Sequence, residues 1–314
     1  MIKIRVPATT ANLGCGFDCF GLALKKYLFL EIEEVKEDLM IQSRGEGATQ
    51  FKKGENNLIW KAFKLVLKKY GKGRDVKGIR IKTLNQIPVT RGLGSSASAI
   101  IGGIIAASRL YNLKLSNEEI LKTALSLEGH MDNIVPALMG GFTLAYSTEN
   151  KPVKWLEIKF PNDLRVVVAI PDFHLSTEKM RSVLPDKLPL SDAIFNLSRS
   201  ALLVKSLQES RWELLAEAME DKIHQPYRAT YIPGLQEMFS QVKNTGYAGI
   251  ALSGSGPTVI SLTKRGTENI ISQIMGDAFL KAGINCRVLV LEPDLEGTKF
   301  IASVSYTHLR AHET

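Results

Sequence analysis

The run Pro88-Val89-Thr90-Arg91-Gly92-Leu93-Gly94-Ser95-Ser96-Ala97-Ser98 is the part of the chain best equipped to hold an anion. Gly92 and Gly94 permit positive φ and close backbone approach. The amides of Ser95 and Ser96 then open a helix and point outward with the positive end of its dipole. Serine hydroxyls at the same place can bind phosphate oxygens or a metal, so a triphosphate is the obvious guest. The G-K-[ST] ending of a Walker loop is absent. Taken alone, the run also allows the lesser reading of a Gly-rich turn capped by serine. Two further Gly-punctuated stretches weigh against that. PATTANLGCGFD, residues 7–18, follows the first strand and carries Asn12 and Asp18, groups suited to a hydroxyl or an amine. SGSGPT, residues 253–258, is a second Gly-rich turn, which by itself reads as a hairpin. Three such loops suggest one site assembled from distant segments.

The elements that must position these loops follow from hydrophobic periodicity. Alternation predicts strands over Ile2–Val6, Tyr27–Val35, Gly78–Leu84, Gly140–Tyr146 and Leu164–Ile170. Helical spacing predicts Leu58–Tyr70 and a small-residue helix over Ser95–Tyr111. Ser116, with Glu119 three residues later, predicts a capping box opening a helix to about Leu127. Beyond Pro171 the pattern turns helical, over Leu190–Leu207, Trp212–Met219 and Leu235–Lys243. It closes with strands near Tyr247–Leu252 and Thr258–Leu262, a helix near Thr267–Ala282 and a strand at Cys286–Leu291. This order is α+β in two lobes. The expected division is 1–155 and 156–303. The last eleven residues, VSYTHLRAHET (304–314), have no periodicity and look like a translated sequencing adaptor. They are expected to be a non-native or disordered tail, and His308 and His312 are left out of any site.

The 314 residues are 45% hydrophobic, which excludes a disordered chain and allows a sizeable core. No apolar run is long enough for a membrane span, and the N-terminus does not read as a secretory signal. Three scattered cysteines, Cys15, Cys19 and Cys286, form neither a disulfide framework nor a zinc site, so a reducing cytoplasm is expected. The net charge of +8 is concentrated in residues 52–82, which hold eleven Lys or Arg against Glu55 and Asp75. Lys61, Lys64 and Lys68 share one face of the predicted helix. With no interleaved aromatics and no nucleic-acid motif, this window reads as a solvated face rather than a nucleic-acid footprint.

PATTANLGCGFD, GLGSSAS (92–98), EGHMDN (128–133) and SGSGPT, in this order and spacing, resemble the motif pattern of the GHMP kinases. The likeness runs from residue 1 to about 300. The opening motif, EGHMDN, Ser176–Arg181 (STEKMR) with Leu184-Pro185, and His224–Arg228 (HQPYR) resemble the homoserine kinase branch. Met131 departs from the proline usual in that motif, and Thr90 and Arg91 occupy variable positions. The resemblance implies an N-terminal domain of the ribosomal-protein-S5 type with a left-handed β-α-β crossover, and a C-terminal ferredoxin-like domain. The general handedness rule would predict the opposite crossover.

The resemblance also implies ATP and Mg²⁺ as cofactors and L-homoserine as the acceptor. Pro88–Ser98 would wrap the phosphates, and Ser95 and Glu128 would contact Mg²⁺, a hard cation that prefers oxygen. Asn12, Asp18 and Asp132 would surround the amino and hydroxyl ends of homoserine, with Asn133 orienting its neighbours. Arg181 and Arg228 would take the α-carboxylate, since guanidinium forks pair with carboxylates bidentately. His130 and His224 read as loop braces, although proton transfer is open to them. Cys15 has no partnered base and is not a nucleophile. Whether Asp132 acts as a general base is left open. The alternatives are another GHMP small-molecule kinase of mevalonate, shikimate or sugar type, or a nucleotide-binding regulator without catalysis. Neither a nucleic acid nor a membrane is an expected partner. A homodimer is left open.

Overall fold

The computed structural model describes residues 1–49, 54–73, 76, 78–147 and 152–302. The tail predicted over 304–314 lies outside the described residues. Two sheets organise the chain. The first begins with a long hairpin of β1 (Ile2–Ala11) and β2 (Phe20–Glu34). On one side of it lies β11 (Lys299–Phe300). On the other lie β4 (Ile79–Asn85) and β3 (Met40–Gly45), in the order β11-β1-β2-β4-β3. β5 (Phe142–Tyr146) pairs with the start of β2 and with β6 (Lys154–Ile158). All pairs are antiparallel except β3 with β4, which are parallel and joined through helix α1 (Leu58–Tyr70). β3, α1 and β4 form a β-α-β crossover between neighbouring parallel strands.

The second sheet has the order β10-β7-β9-β8 and is antiparallel throughout. Its strands are β7 (Leu164–Pro171), β8 (Ala248–Leu252), β9 (Val259–Lys264) and β10 (Cys286–Leu291). Numbered within this sheet the order is 4-1-3-2, the ferredoxin-like arrangement. Helix α10 (Glu268–Lys281) connects β9 to β10. Between β7 and β8 run α5 (Thr177–Ser182), α6 (Leu190–Glu209), α7 (Leu215–Ala218), α8 (Gln225–Ala229) and α9 (Leu235–Lys243). No helix among the described residues is long and apolar enough to cross a membrane.

Several elements exceed their sequence expectation. β1 continues past Pro7, where the pairing register shifts; a bulge tolerates a residue without an N–H. The predicted helix over Trp212–Met219 divides into a 3-10 turn, Trp212–Leu214, and α7. β3 and β6 carry mostly exposed residues and gave no alternating apolar signal. Between α3 (Asn117–Leu125) and β5 lies a helix not read from the sequence, α4 (Met131–Met139), which contains Pro136. The Ser116–Glu119 capping box at α3 is formed.

Helix α2 (Ser95–Leu110) lies on β1 with Ile100, Ile101 and Ile104 fully packed. Its first turn therefore stands at the end of the sheet, facing the loop between β1 and β2. α1 packs beside it through Ile59, Phe63, Val66 and Leu67. The opposite face exposes Lys61, Lys64 and Lys68.

Candidate active site

A cleft of about 280 Å³ opens where the two sheets meet. One wall is formed by Pro88 to Ser96. Gly92 and Gly94 both have positive φ, at 79° and 66°. A Cβ at Gly94 would fall 1.8 Å from Thr9 Oγ1, and one at Gly92 would fall 2.2 Å from the Ser253 carbonyl oxygen. Only glycine fits either position without displacement. Gly94 is the N-cap of α2 and supplies no capping side chain, and the first turn holds no acidic residue. The opening amides of α2 are thus left for an external anion. Thr90 also has positive φ, 55°, and its Oγ1 lies 2.8 Å from His174 Nδ1. The Arg91 guanidinium reaches the Pro171 and Asp172 carbonyls at the end of β7 and so ties this loop to the second sheet.

Ala97 and Ser98, the last two residues of the predicted phosphate segment, do not line the cleft. Both are fully buried, and Ser98 Oγ donates to the Pro7 and Gly94 carbonyls at 2.8 and 3.0 Å. Helical rotation turns them toward the core while Ser95 and Ser96 face the cleft.

The SGSGPT turn sits against the Pro88–Ser96 loop. Ser253 Oγ donates to the Gly92 carbonyl at 2.5 Å and pairs with Thr10 Oγ1 at 2.9 Å. The Gly254 amide donates to Ala11 O. Asn12 joins three segments. Its Nδ2 donates to Gly254 O at 3.1 Å, and its Oδ1 accepts from the Asp18 amide at 3.0 Å. Both ends of the Asn12 amide are therefore occupied in shaping the loop that presents Asp18.

The other wall is built from charge. Arg181, on α5, makes a bidentate pair with Asp18, Nη1 to Oδ2 at 3.1 Å and Nη2 to Oδ1 at 2.6 Å. His130 Nδ1 lies 2.7 Å from Arg181 Nη2. Arg228, on α8, is 2% exposed. Its Nε donates to Met180 O and its Nη1 to Gly254 O, both at 3.0 Å. Burial, then the neighbouring Arg181, lower its pKa to about 10. Phe17 was missed in the sequence reading: its ring lies 5.6 Å from Arg181 Cζ and 5.5 Å from Arg228 Cζ, and stacks on His224 at 5.1 Å. A single aromatic in a polar loop was its only signal. Thr177, Ser255 and the segment Asn56–Leu58 also line the cleft and carried none.

Asp132, at the start of α4, faces the cleft but is only 3% exposed. Its pKa is pushed up to about 7, first by burial and then by the Asp18 carboxylate. Asn133 Nδ2 lies 3.3 Å from Asp132 Oδ1, and Asn133 Oδ1 accepts from Thr9 Oγ1 at 2.7 Å. Glu128 follows α3; burial raises its pKa against the hydrogen bond from Ser96. Its Oε2 is buried without a hydrogen-bond partner. Among the described residues no group of three or more His, Cys, Asp or Glu forms a metal cage. His130 and His224 are both held below the usual imidazole range, chiefly by burial. The Cys15 thiol is buried and pushed up to about 12, which leaves it inert. The cleft thus offers an amide-rich cradle for an anion beside a wall of paired charges and one carboxyl poised near neutrality.

Residues 57–141 match the GHMP kinases N terminal domain and residues 203–281 match GHMP kinases C terminal. The chain is 44% identical to the homoserine kinase of Petrotoga mobilis over 275 residues, 88% of this chain and 89% of that protein. It is 40% identical to the homoserine kinase of Desulfitobacterium hafniense, with 96% and 100% covered. The solved homoserine kinase of Cytophaga hutchinsonii superposes with a TM-score of 0.83 at 28% identity, covering 96% of this chain and 97% of that one. The anion cradle, the charged wall and the two sheets therefore sit in a chain that belongs to the homoserine kinase family of the GHMP kinases.

Proposed function

We propose that the protein transfers the γ-phosphoryl group of ATP to the γ-hydroxyl of L-homoserine, giving ADP and O-phospho-L-homoserine, the kinase step toward threonine. The observation that carries this reading is the juxtaposition in one cleft of the free α2 amides with Asp18, Arg181 and Arg228. The first suits a polyphosphate. The second suits a zwitterion, and relatives named homoserine kinase favour that amino acid.

In this reading Pro88–Ser96 wrap the phosphates. Mg²⁺ fits the same wall: Glu128 presents a buried carboxylate oxygen with no protein partner, beside Ser95 and Ser96, an all-oxygen donor set suited to a hard cation shared with phosphate. When bound, the ion neutralises charge on the transferring phosphoryl group. Asp18 receives the α-ammonium. Arg181 and Arg228 receive the α-carboxylate. Asp18 and Arg181 pair with each other, so an incoming zwitterion exchanges one ion pair for two. A substrate with a single charge would leave a partner unmatched.

Asp132 accepts a hydrogen bond from the γ-hydroxyl and takes its proton as the phosphoryl group leaves ATP. Its raised proton affinity matches that task near neutral pH. Asn133 and Asn12 hold the surrounding geometry. Phosphoryl transfer through a loose transition state rests mainly on such positioning. The division into lobes 1–155 and 156–303 belongs to the same proposal, supported by the change of sheet between β6 and β7. So does a reducing cytoplasm, which suits three free cysteines.

The test is ADP release measured in parallel with homoserine, mevalonate, shikimate and galactose. Turnover confined to homoserine is the expected result. Comparable turnover of mevalonate or a sugar would overturn the substrate assignment.

A further inference from the structure

The buried groups Asp221 and His224 take no part in the chemistry described above. Asp221 has no side-chain exposure. Its carboxylate accepts from Asn196 Nδ2 at 2.7 Å and from the amides of Ile223, His224 and Gln225 at 3.0, 2.9 and 2.6 Å. It thereby fixes the entry to α8, the short helix that carries Arg228. His224 is fully buried. Its Nε2 lies 2.9 Å from Gly14 O, and its Nδ1 lies 3.3 Å from Arg228 Nη1. A carbonyl only accepts, so Nε2 must carry the proton, and Nδ1 is left as the acceptor that Arg228 needs. One face of the imidazole is stacked on Phe17. Arg228 Nε and Nη1 are committed to Met180 O, Gly254 O and His224. Nη2 has no hydrogen bond to the protein among the described residues, and the residue lines the cleft.

We propose that Asn196, Asp221 and His224 form a positioning relay that sets the Arg228 guanidinium for the acceptor's carboxylate, with Nδ1 of His224 as the contact that delivers it. The proposal rests on Arg228 being the carboxylate contact. The relay acts on recognition of the α-carboxylate and on nothing at the phosphate end of the cleft.

Two conservative substitutions separate this role from loop anchoring. His224→Asn keeps an acceptor near the Nδ1 position but loses the donor to Gly14. His224→Gln keeps a donor near the Nε2 position but loses the acceptor for Arg228. The measurement is steady-state kinetics on the full chain with homoserine and with homoserinol, which lacks the carboxylate. The KM for ATP serves as the check on folding.

The relay predicts that His224→Gln lowers kcat/KM for homoserine by roughly tenfold or more, through KM, as loss of a hydrogen bond to a charged group would. Homoserinol and ATP should change by less than about threefold, as for contacts left untouched. His224→Asn should stay within about threefold of the parent for both alcohols. The reverse ranking, or equal losses for homoserine and homoserinol, would assign His224 to the Gly14 loop and overturn the relay. Loss of ATP saturation in both variants would assign it to the fold and overturn it too.

Arg228→Leu, measured beside them, keeps the two readings apart. If Arg228→Leu discriminates the two alcohols and His224→Gln does not, the relay fails and the carboxylate assignment stands. If Arg228→Leu does not discriminate, both fail.

Discussion

In the proposed function the two walls of the cleft hold their ligands by different physics. The phosphate wall is made of backbone: two glycines at positive φ, the uncapped start of α2, and a turn from the second sheet locked against them. Among the described residues its one acidic side chain is Glu128. The acceptor wall is made of side chains, Asp18, Asp132, His130, Arg181 and Arg228, brought from the β1–β2 loop, α4 and its approach, α5 and α8. A backbone cradle is contiguous in sequence and tolerant of which anion it holds. A charge wall is assembled by folding, is partly self-neutralised through the Asp18–Arg181 pair, and is selective because each unmatched charge is penalised. Binding of nucleotide and choice of acceptor should therefore be separable by mutation.

The largest separation is expected at Asp132. Asp132→Asn should lower kcat by about 10²–10⁴-fold, the range for loss of a general base, while the KM values for ATP and homoserine move far less. A loss below about tenfold would reduce Asp132 to a hydrogen-bond partner of the hydroxyl.

Arg228→Leu comes next. Removing one partner of a desolvated charge pair costs about 2–5 kcal/mol, or roughly 30- to several-thousand-fold in kcat/KM for homoserine. ATP binding should be spared. A solvated arginine would lose less than about tenfold, since exposed pairs are worth ~1 kcal/mol or less.

On the other wall, Glu128→Gln or Ser95→Ala should lower kcat by roughly tenfold or more with the homoserine KM nearly unchanged, because the lost stabilisation matters most in the transition state. A raised homoserine KM with kcat intact would break the proposed division between the walls.

The smallest effect is in stability. The Asp132 pKa rises from its ordinary 3.8 to about 7 on folding. A raised folded-state value makes protonation stabilising. That contribution is complete below about pH 4 and is lost as pH climbs through about 7. Without Mg²⁺, Asp132→Asn should thus melt close to the parent at low pH and progressively above it toward pH ~8. A gap that does not grow with pH would contradict the burial of that charge beside Asp18.

The difference between the walls also decides what the sequence revealed. Gly92, Gly94, Ser95 and Ser96 were legible because close backbone approach and a helix start leave a contiguous signature. Ala97 and Ser98 were included wrongly, since a linear motif does not show that helical rotation carries them into the core. Arg181 and Arg228 lie on short helices of six and five residues, with too little periodicity to place them, and were identified through family resemblance alone. α4 was hidden by Pro136, and β3 and β6 by their exposure. Phe17 left only the faint signal of one aromatic in a polar loop, and His224 read as a loop brace without its partners, because their meaning lies in contacts between residues up to about two hundred positions apart.

The central claim is that the acceptor wall reads both charges of an amino acid. Its most direct test is kcat/KM of the unmodified protein, at saturating ATP, for homoserine, for homoserinol and for 4-hydroxybutyrate, which lacks the amine. The account predicts homoserine ahead of each by roughly a hundredfold or more, as a buried partner left unmatched requires. Equal turnover of the three alcohols would contradict it.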